Sequence, residues 1–487
     1  MIRHALLSLV GLLFFSAALS AQTVDQAYLY SYLSPFGTAR FAGTAGALTP
    51  LGSDLTTAVT NPAGLAWVRT SYATVSPVFD MSRVDATLAD ARELGGNDLP
   101  ENQFGFASLG FVVAGTTRSV NWPQLNFAIS LNRMADFNES YNYQGRNQGS
   151  IVQAFTDDAN EGFFNDYTNI PFLDAEAIFD DPDNSGVFLS DFDTNPTGEI
   201  YRDQTVTRTG GVSELDFSMA GNYRDRLMWG FTLGIPLINF TENRTYREID
   251  DQDQIEFFDN LEYRERLTST GAGVNFRLGL IYRVSQPVRI SAAIHSPSFY
   301  SISDEFSTDA DYQFTVDGTP TVGNGFSPAG AFDYNLRTPW RYNFGVGILA
   351  GKKGFISIDG DYANYATNTV SFENLDDDAA VFNDGIRNSL DGVFSARVGG
   401  ELNMNPVMVR AGAQVRRSAF RGDEETYPLL SAGAGYRIKK FAVDLAYQYE
   451  TQAQVFRPYQ AFPPVVEQTV ATDFTTHRIL LSLSLAF

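Results

Sequence analysis

The chain closes on His477-Arg-Ile-Leu-Leu-Ser-Leu-Ser-Leu-Ala-Phe487. Successive side chains of a strand point to opposite sides, so Ile479, Leu481, Leu483, Leu485 and Phe487 share one face. Arg478, Ser482, Ser484 and Ala486 share the other, with Leu480 the one exception. A strand apolar on one face and small or polar on the other suits a barrel wall between lipid and a polar lumen. The last residue is an aromatic with no polar tail after it, which fits Phe487 in an interfacial aromatic girdle. The competing reading is the closing strand of a soluble sandwich, and the opposite end of the chain argues against it.

Arg3 and His4 precede the apolar run Ala5 to Leu19, and Ser20-Ala21-Gln22 offers a small residue before a cut. Charge, length and the small-residue ending read as a secretory signal peptide over 1–21. Beyond it no stretch of about 18 uninterrupted apolar residues occurs, so a helical anchor is not expected. No Cys stands near the cut to carry a lipid, so the membrane reading rests on strands.

Composition agrees. The 487 residues include 39 Phe, 23 Tyr and 41 Gly but no Cys, and barrel strands use aromatics for girdles and Gly for curvature. Without disulfides, stability must come from closed strand pairing. A formal charge of -23 argues against nucleic acid, whose phosphates need a basic surface. Most of the acid lies between strands and reads as solvated loop charge.

Period-two patterning predicts fourteen strands near 69–80, 103–114, 124–137, 211–224, 227–243, 261–283, 287–302, 337–350, 354–371, 390–403, 406–420, 428–438, 441–455 and 473–487. Their connections alternate. Arg224-Asp-Arg, Ser285-Gln-Pro, Gly351-Lys-Lys-Gly, Met404-Asn-Pro and Lys439-Lys440 are tight, with 115–123 looser. The alternate set is long, at 81–102, 138–210, 244–260, 303–336, 372–389 and 456–472, with 421–427 shorter. Outer-membrane barrels have short periplasmic turns and long extracellular loops, and a soluble sandwich has no reason for that alternation. The expected fold is thus a transmembrane antiparallel β-barrel over 68–487.

Two segments do not read as wall. Residues 22–67 are rich in Gly, Ala and Thr, and Asp25-Gln-Ala-Tyr-Leu-Tyr-Ser-Tyr-Leu suits a short helix. The segment is too apolar for a free tail and is expected inside the barrel as a hatch, or plug. The largest loop, 138–210, interleaves Phe155, Phe163, Phe164, Phe172, Phe179 and Phe188 with acids. A loop of that length carries structure of its own and often function. Its aromatics are expected to pack over the barrel mouth.

Gly37-Thr-Ala-Arg-Phe-Ala-Gly-Thr-Ala-Gly-Ala-Leu (37–48) is followed by Leu51-Gly-Ser-Asp-Leu-Thr-Thr-Ala-Val-Thr-Asn-Pro-Ala-Gly-Leu-Ala (51–66). This stretch resembles the hatch of the FadL-type outer-membrane transport family, whose Asn-Pro-Ala turn matches Asn61, Pro62 and Ala63. Leu280-Ile-Tyr-Arg-Val-Ser through Ile294-His-Ser-Pro-Ser-Phe-Tyr resembles that family's central hairpin. Independently of the family, Pro62 fixes its own φ and biases Asn61 away from helix, the Asn61 side chain can cap nearby N–H groups, and Gly64 permits close approach to a wall. Asn61, Pro62, Ala63 and Gly64 are therefore the candidate gating knuckle. The resemblance implies passive transport of long-chain fatty acids or aromatic hydrocarbons in a Gram-negative outer membrane. In that scheme the loops catch an apolar ligand, with Phe163, Phe164, Phe172 and Phe179 as candidate ligand-capture residues unless they only pack the loop on itself, and the ligand leaves by a hatch shift or a gap in the wall. Phe487 likewise resembles the terminal signal read by the barrel-assembly machinery. Outer-membrane lipid and lipopolysaccharide are the expected surroundings.

Arg277 alternates with Phe276, Leu278 and Leu280 and so faces the lumen, either to bind a carboxylate head group or to pair with wall carboxylates. Gly345-Val-Gly-Ile-Leu-Ala-Gly351 lacks nucleotide-loop spacing and a following helix. Asp180-Asp-Pro-Asp-Asn-Ser-Gly186 lacks the closing Glu of a calcium loop. With only His295 and His477 after processing, neither a zinc site nor a hydrolytic triad is expected. No enzyme activity, cofactor or metal is expected. The alternative function is a non-transporting barrel that binds a secretion or surface-attachment partner protein at its loops.

Overall fold

Alternating sequence becomes a closed antiparallel barrel of fourteen strands. The computed structural model describes residues 24–89, 91–92, 101–372, 376–459 and 468–487; the signal-peptide reading over 1–21 lies outside them. The strands are β1 (Tyr72–Leu88), β2 (Glu101–Thr116), β3 (Gln124–Asp136, continued by Glu139–Gln148), β4 (Glu199–Tyr223), β5 (Leu227–Ile249) and β6 (Phe258–Arg283). Next come β7 (Val288–His295 and Phe299–Val316), β8 (Thr319–Phe326, Gly330–Arg337 and Arg341–Leu349) and β9 (Gly354–Asn364 and Thr369–Phe372). The ring is completed by β10 (Gly392–Met404), β11 (Val407–Arg417), β12 (Thr426–Ile438), β13 (Phe441–Phe456) and β14 (Val470–Ala486). β14 returns to β1, with Tyr72 opposite Ala486 and Leu88 opposite Val470. The Phe487 N–H donates to the Ser71 carbonyl at 3.0 Å, so the terminal residue itself joins the seam.

The two faces of the wall differ as the pattern requires. Leu278, Val346, Ile358, Leu445 and Leu483 point outward and are exposed, while their neighbours Asn275, Ser357, Asp359, Asp444 and Ser482 are buried inside. A continuous outward apolar belt of this size is stable only against lipid, so the molecule is an outer-membrane-type transmembrane barrel. Leu480, the exception in the closing strand, is buried on the inner face against Phe36, Ala39 and Ala42 of the plug.

Residues 24–67 sit within the ring as that plug. The chain runs through a helix at 24–31 (α1), short helices Ala39–Ala42 (α2) and Thr57–Thr60 (α3), and a 3-10 turn over Pro62–Trp67. Its backbone is held from all sides. Ala39 N–H reaches Ser482 of β14 at 2.7 Å, and Thr49 N–H reaches Asp359 of β9 at 2.8 Å. The Leu65 carbonyl accepts from Asn126 of β3 at 2.7 Å, the Ala58 carbonyl from Thr232 of β5 at 2.9 Å, and the Ala42 carbonyl from Gln448 of β13 at 3.1 Å. Lumen polar groups thus satisfy the backbone donors and acceptors that an irregular segment would otherwise bury unpaired.

The tight turns gather at one end of the ring, at 117–123, 224–226, 284–287, 350–353, 405–406 and 439–440. At the other end the wall continues well above the apolar belt. Glu139–Gln148 pairs with residues of β4 from Glu199 to Arg208, so both ends of the 138–210 segment are strand. Cross-strand ion pairs replace lipid contacts on the outer face at that height, including Arg247 with Glu262 at 2.7 Å and Arg264 with Asp311 at 2.7 Å. Between the strand ends lie α4 and α5, at Ile151–Asn160 and Asn169–Asp174. Ser150 caps α4 in a capping box with Gln153.

Candidate functional site: a plugged lumen beside a split wall

The Asn61-Pro62-Ala63 knuckle is fully buried against β5 and β6. Asn61 Oδ1 accepts from Ala63 N–H at 3.1 Å, and Nδ2 donates to the carbonyls of Leu280 at 3.3 Å and Thr49 at 3.4 Å. Pro62 opens the 3-10 turn, where a missing N–H costs nothing. Room for the knuckle comes from two wall glycines. Gly230 and Gly279 face each other across β5 and β6. A Cβ on Gly230 would overlap the Pro62 backbone, and one on Gly279 would overlap Asn61 Oδ1. Gly64 packs Cα to Cα against Gly52, where a side chain would collide. His295 Nε2 lies 2.7 Å from the Thr60 carbonyl and fixes the approach to the knuckle.

Above the plug is a cavity of about 2120 Å³. Tyr28, Leu29 and Tyr32 of the plug form part of its floor. Phe240, Leu267, Phe306 and Phe332 of the wall, Tyr167 of the large loop and Phe382 of α6 (Asp376–Ser389) line its sides. Charged groups also line it, and many are mutually satisfied: Arg208 binds Glu139 and Glu242, and Arg244 binds Glu242 at 2.9 Å. The Arg416 guanidinium stacks between the rings of Tyr32 and Tyr427, at 4.4 and 4.5 Å. Neutralised charges among aromatic rings leave a space that accepts an apolar guest.

The way down from this cavity is narrow and polar. A chamber of about 70 Å³ shares Ser34, Met134 and Arg478 with it and is otherwise lined by groups such as Arg277, His295, Arg341 and Arg397. Arg341 binds the carbonyls of Leu33 at 2.6 Å and Ser31 at 3.0 Å, pinning the plug across the passage. A space of that size holds a few waters and no hydrocarbon chain.

The way sideways is different. The β2–β3 ladder runs from Thr116 opposite Gln124 to Ser108 opposite Asn132, and no further among the described residues. Beyond it Glu101 and Gln103 of β2, and Met134, Ala135 and Asp136 of β3, line the cavity. The cause is a bulge: Arg133 faces Ser213 and Ala135 faces Val212, so Met134 is an extra residue. Gly210 and Gly211 of β4, both at positive φ, accommodate the bend, and Arg133 ties it by donating to the Gly210 carbonyl at 2.6 Å. Plug backbone stoppers the gap, with Ser34 N–H donating to the Met134 carbonyl at 2.8 Å and Phe36 N–H to the Arg133 carbonyl at 3.1 Å.

The remaining residues singled out from sequence fall in several places. Phe172 is fully buried where the large loop packs on the upper wall, against Phe155 of α4 and Tyr263 of β6. Phe164 and Phe179 are exposed on that loop, Phe164 beside Phe188, and Phe163 is half-buried. Arg277 is committed to Glu214 and to Asp216, the latter at 2.9 Å, so its role is wall pairing. Sequence reasoning misses Met134, the Gly230–Gly279 pair and Arg416. For the bend, the signal available in sequence is Gly210-Gly211 within a strand.

The class is defined by these features: a fourteen-strand outer-membrane-type barrel with an internal N-terminal plug. No family model matches the sequence, and no curated protein matches it. Solved structures do match the fold. A FadL homologue of Pseudomonas aeruginosa aligns at TM-score 0.56 and 12% identity, covering 94% of this chain and 99% of that one. The toluene transporter TodX of P. putida aligns at 0.53 and 11%, covering 93% and 99%. The toluene transporter TbuX of Ralstonia pickettii aligns at 0.51 and 13%, covering 94% and 100%. At these identities the likeness establishes that the chain has the fold of the FadL-type channels.

Proposed function

We propose that the chain is a passive outer-membrane channel of the FadL type for small hydrophobic molecules, with long-chain fatty acids and aromatic hydrocarbons as the substrate classes. One observation carries the reading: an aromatic-lined cavity that meets a polar stopper below and a split wall beside it. In this reading the long loops are extracellular, the tight turns are periplasmic and residues 1–21 are a cleaved signal peptide. An apolar guest sheds its hydration in the cavity, at about 25 cal/mol per Å² buried, and then leaves between β2 and β3 into lipid. The Asn61-Pro62-Ala63-Gly64 knuckle sets the position of the plug, which stoppers the split through residues 34–36. Phe164 and Phe179 offer the first apolar contact outside, and Phe487 serves assembly. The toluene transporters among the fold relatives support aromatic hydrocarbons as guests.

The test is uptake of labelled oleate and labelled toluene by cells without a hydrophobic channel of their own. Expression of the chain should raise uptake of at least one of them over an empty control. A folded, surface-exposed barrel that raises neither would overturn the channel reading. Exposed Phe164 and Phe179 would then favour a loop-bound partner protein instead.

A further inference from the structure

The chain contains four lysines, Lys352, Lys353, Lys439 and Lys440. The strand register brings all of them to the end of the ring that carries the tight turns. Lys352 and Lys353 lie in the β8–β9 turn, and Lys439 and Lys440 in the β12–β13 turn. Arg118 lies in the β2–β3 turn, Arg224 and Arg226 in the β4–β5 turn, and Arg283 at the end of β6. The acidic side chain in these turns is Asp225, and Arg69 binds it at 2.8 Å. This rim is strongly basic in a molecule of net charge -23.

The lysines are exposed and have no ion-pair partner among the described residues. They also sit where the apolar belt ends. Ile348 and Ile356 bracket the first pair at 53% and 60% exposure, and Ile438 and Phe441 bracket the second at 53% and 62%. Beside Arg118 and Arg224 stand Val120 and Trp122, both exposed. A lysine flanked by lipid-facing side chains lays its methylenes along the hydrocarbon edge and lifts its ammonium to the head-group level. The basic groups are spread over successive hairpins and do not form one patch. That distribution suits many small anions around a circumference better than one macromolecule.

We propose that the tight-turn rim is a binding collar for anionic phospholipid of the adjoining leaflet, with lysine ammonium groups on lipid phosphates. Opposite charge draws such lipids to a basic membrane-edge segment, by about fivefold for each lysine in contact.

The experiment is native mass spectrometry of the detergent-purified barrel with phosphatidylglycerol or phosphatidylcholine added at equal concentration. The wild type should retain phosphatidylglycerol several-fold over phosphatidylcholine, and added salt should shrink that ratio. The variant Lys352→Gln, Lys353→Gln, Lys439→Gln, Lys440→Gln should lose most of that preference, the rim arginines keeping the remainder. The charge-preserving Arg variant at the same four positions should keep the preference, and heat-modifiable migration reports that each barrel is folded. Equal retention by the wild type, or an undiminished preference in the folded Gln variant, overturns the proposal. Stronger wild-type binding of a soluble polyglutamate peptide than of phosphatidylglycerol also overturns it, because the rim would then face a soluble polyanion.

Discussion

A residue that carries no side chain decides where the plug rests. Gly279 reads in sequence as a concession to curvature, yet its bare Cα is what lets Asn61 Oδ1 lie against β6. Gly279→Ala should therefore displace the knuckle while leaving strand pairing intact. Single-channel recording in planar bilayers should show larger or more frequent openings than in the wild type; an unchanged trace would separate the knuckle from plug position. Asn61→Ala removes the cap on Ala63 and leaves the Leu280 and Thr49 carbonyls without their donor, a loss of about 1–2 kcal/mol. Its expected mark is faster proteolysis of the plug in the folded barrel, with the barrel's own melting little changed. Asn61, Pro62 and Gly64 are legible in the sequence because backbone chemistry singles them out. The wall glycines are not, because close approach of two backbones distant in sequence leaves no local pattern. Leu480 is the mirror case: a break in alternation that makes sense only with Phe36 and Ala39 packed beneath it.

At the scale of elements, the strands and tight turns are readable because period two survives wherever one face meets lipid. The upper wall is less so. Above the belt both faces meet water or loop, so Arg, Glu and Tyr alternate with one another and the segment 199–210 reads as loop although it is strand. The bulge at Met134 leaves no mark on β3 itself for a related reason: one inserted residue shifts register without altering composition, and the signal sits on the neighbouring strand at Gly210-Gly211. Deleting Met134 should restore the ladder between Arg133 and Ala135, straighten β3 and close the split. Uptake of an apolar substrate should fall severalfold with barrel folding retained, and undiminished uptake would exclude the lateral route. Within the large loop, burial raises the Asp158 carboxyl to about 6, with Glu161 and Asp157 adding repulsion. The group prefers its neutral form in the folded loop, so its contribution is complete below the unfolded value of 3.8 and is lost as pH rises through about 6. Amide exchange across α4, corrected for intrinsic rates, should be slower at pH 5 than at pH 7.5. Asp158→Asn should reduce that difference.

At the scale of the molecule, two surfaces face opposite ways on a shared wall, and each tolerates what the other forbids. Plug and lumen accept charge because ion pairs and backbone groups neutralise it, as for Arg410 between Glu401 and Asp444, at 2.7 and 2.6 Å. The outer belt has no such partners. Ile358 on β9 is 61% exposed toward lipid, whereas its neighbour Asp359 is buried and bound to the plug at Thr49. Ile358→Arg should cost about 2–4 kcal/mol near the bilayer midplane and less toward its edges. The same arginine placed at Ser357, on the inner face, would crowd the plug and leave the lipid contact untouched. Urea titrations in phospholipid vesicles separate the two effects. The Ile358 variant should lose barrel stability with its plug still protected from protease, and the Ser357→Arg variant should lose plug protection while the barrel holds. If each variant lost barrel stability and plug protection together, plug and wall would melt as one cooperative unit. The plug could then not shift without unfolding the wall, the split between β2 and β3 would stay stoppered by the backbone of Ser34 and Phe36, and a guest held in the cavity would have no exit through the folded barrel.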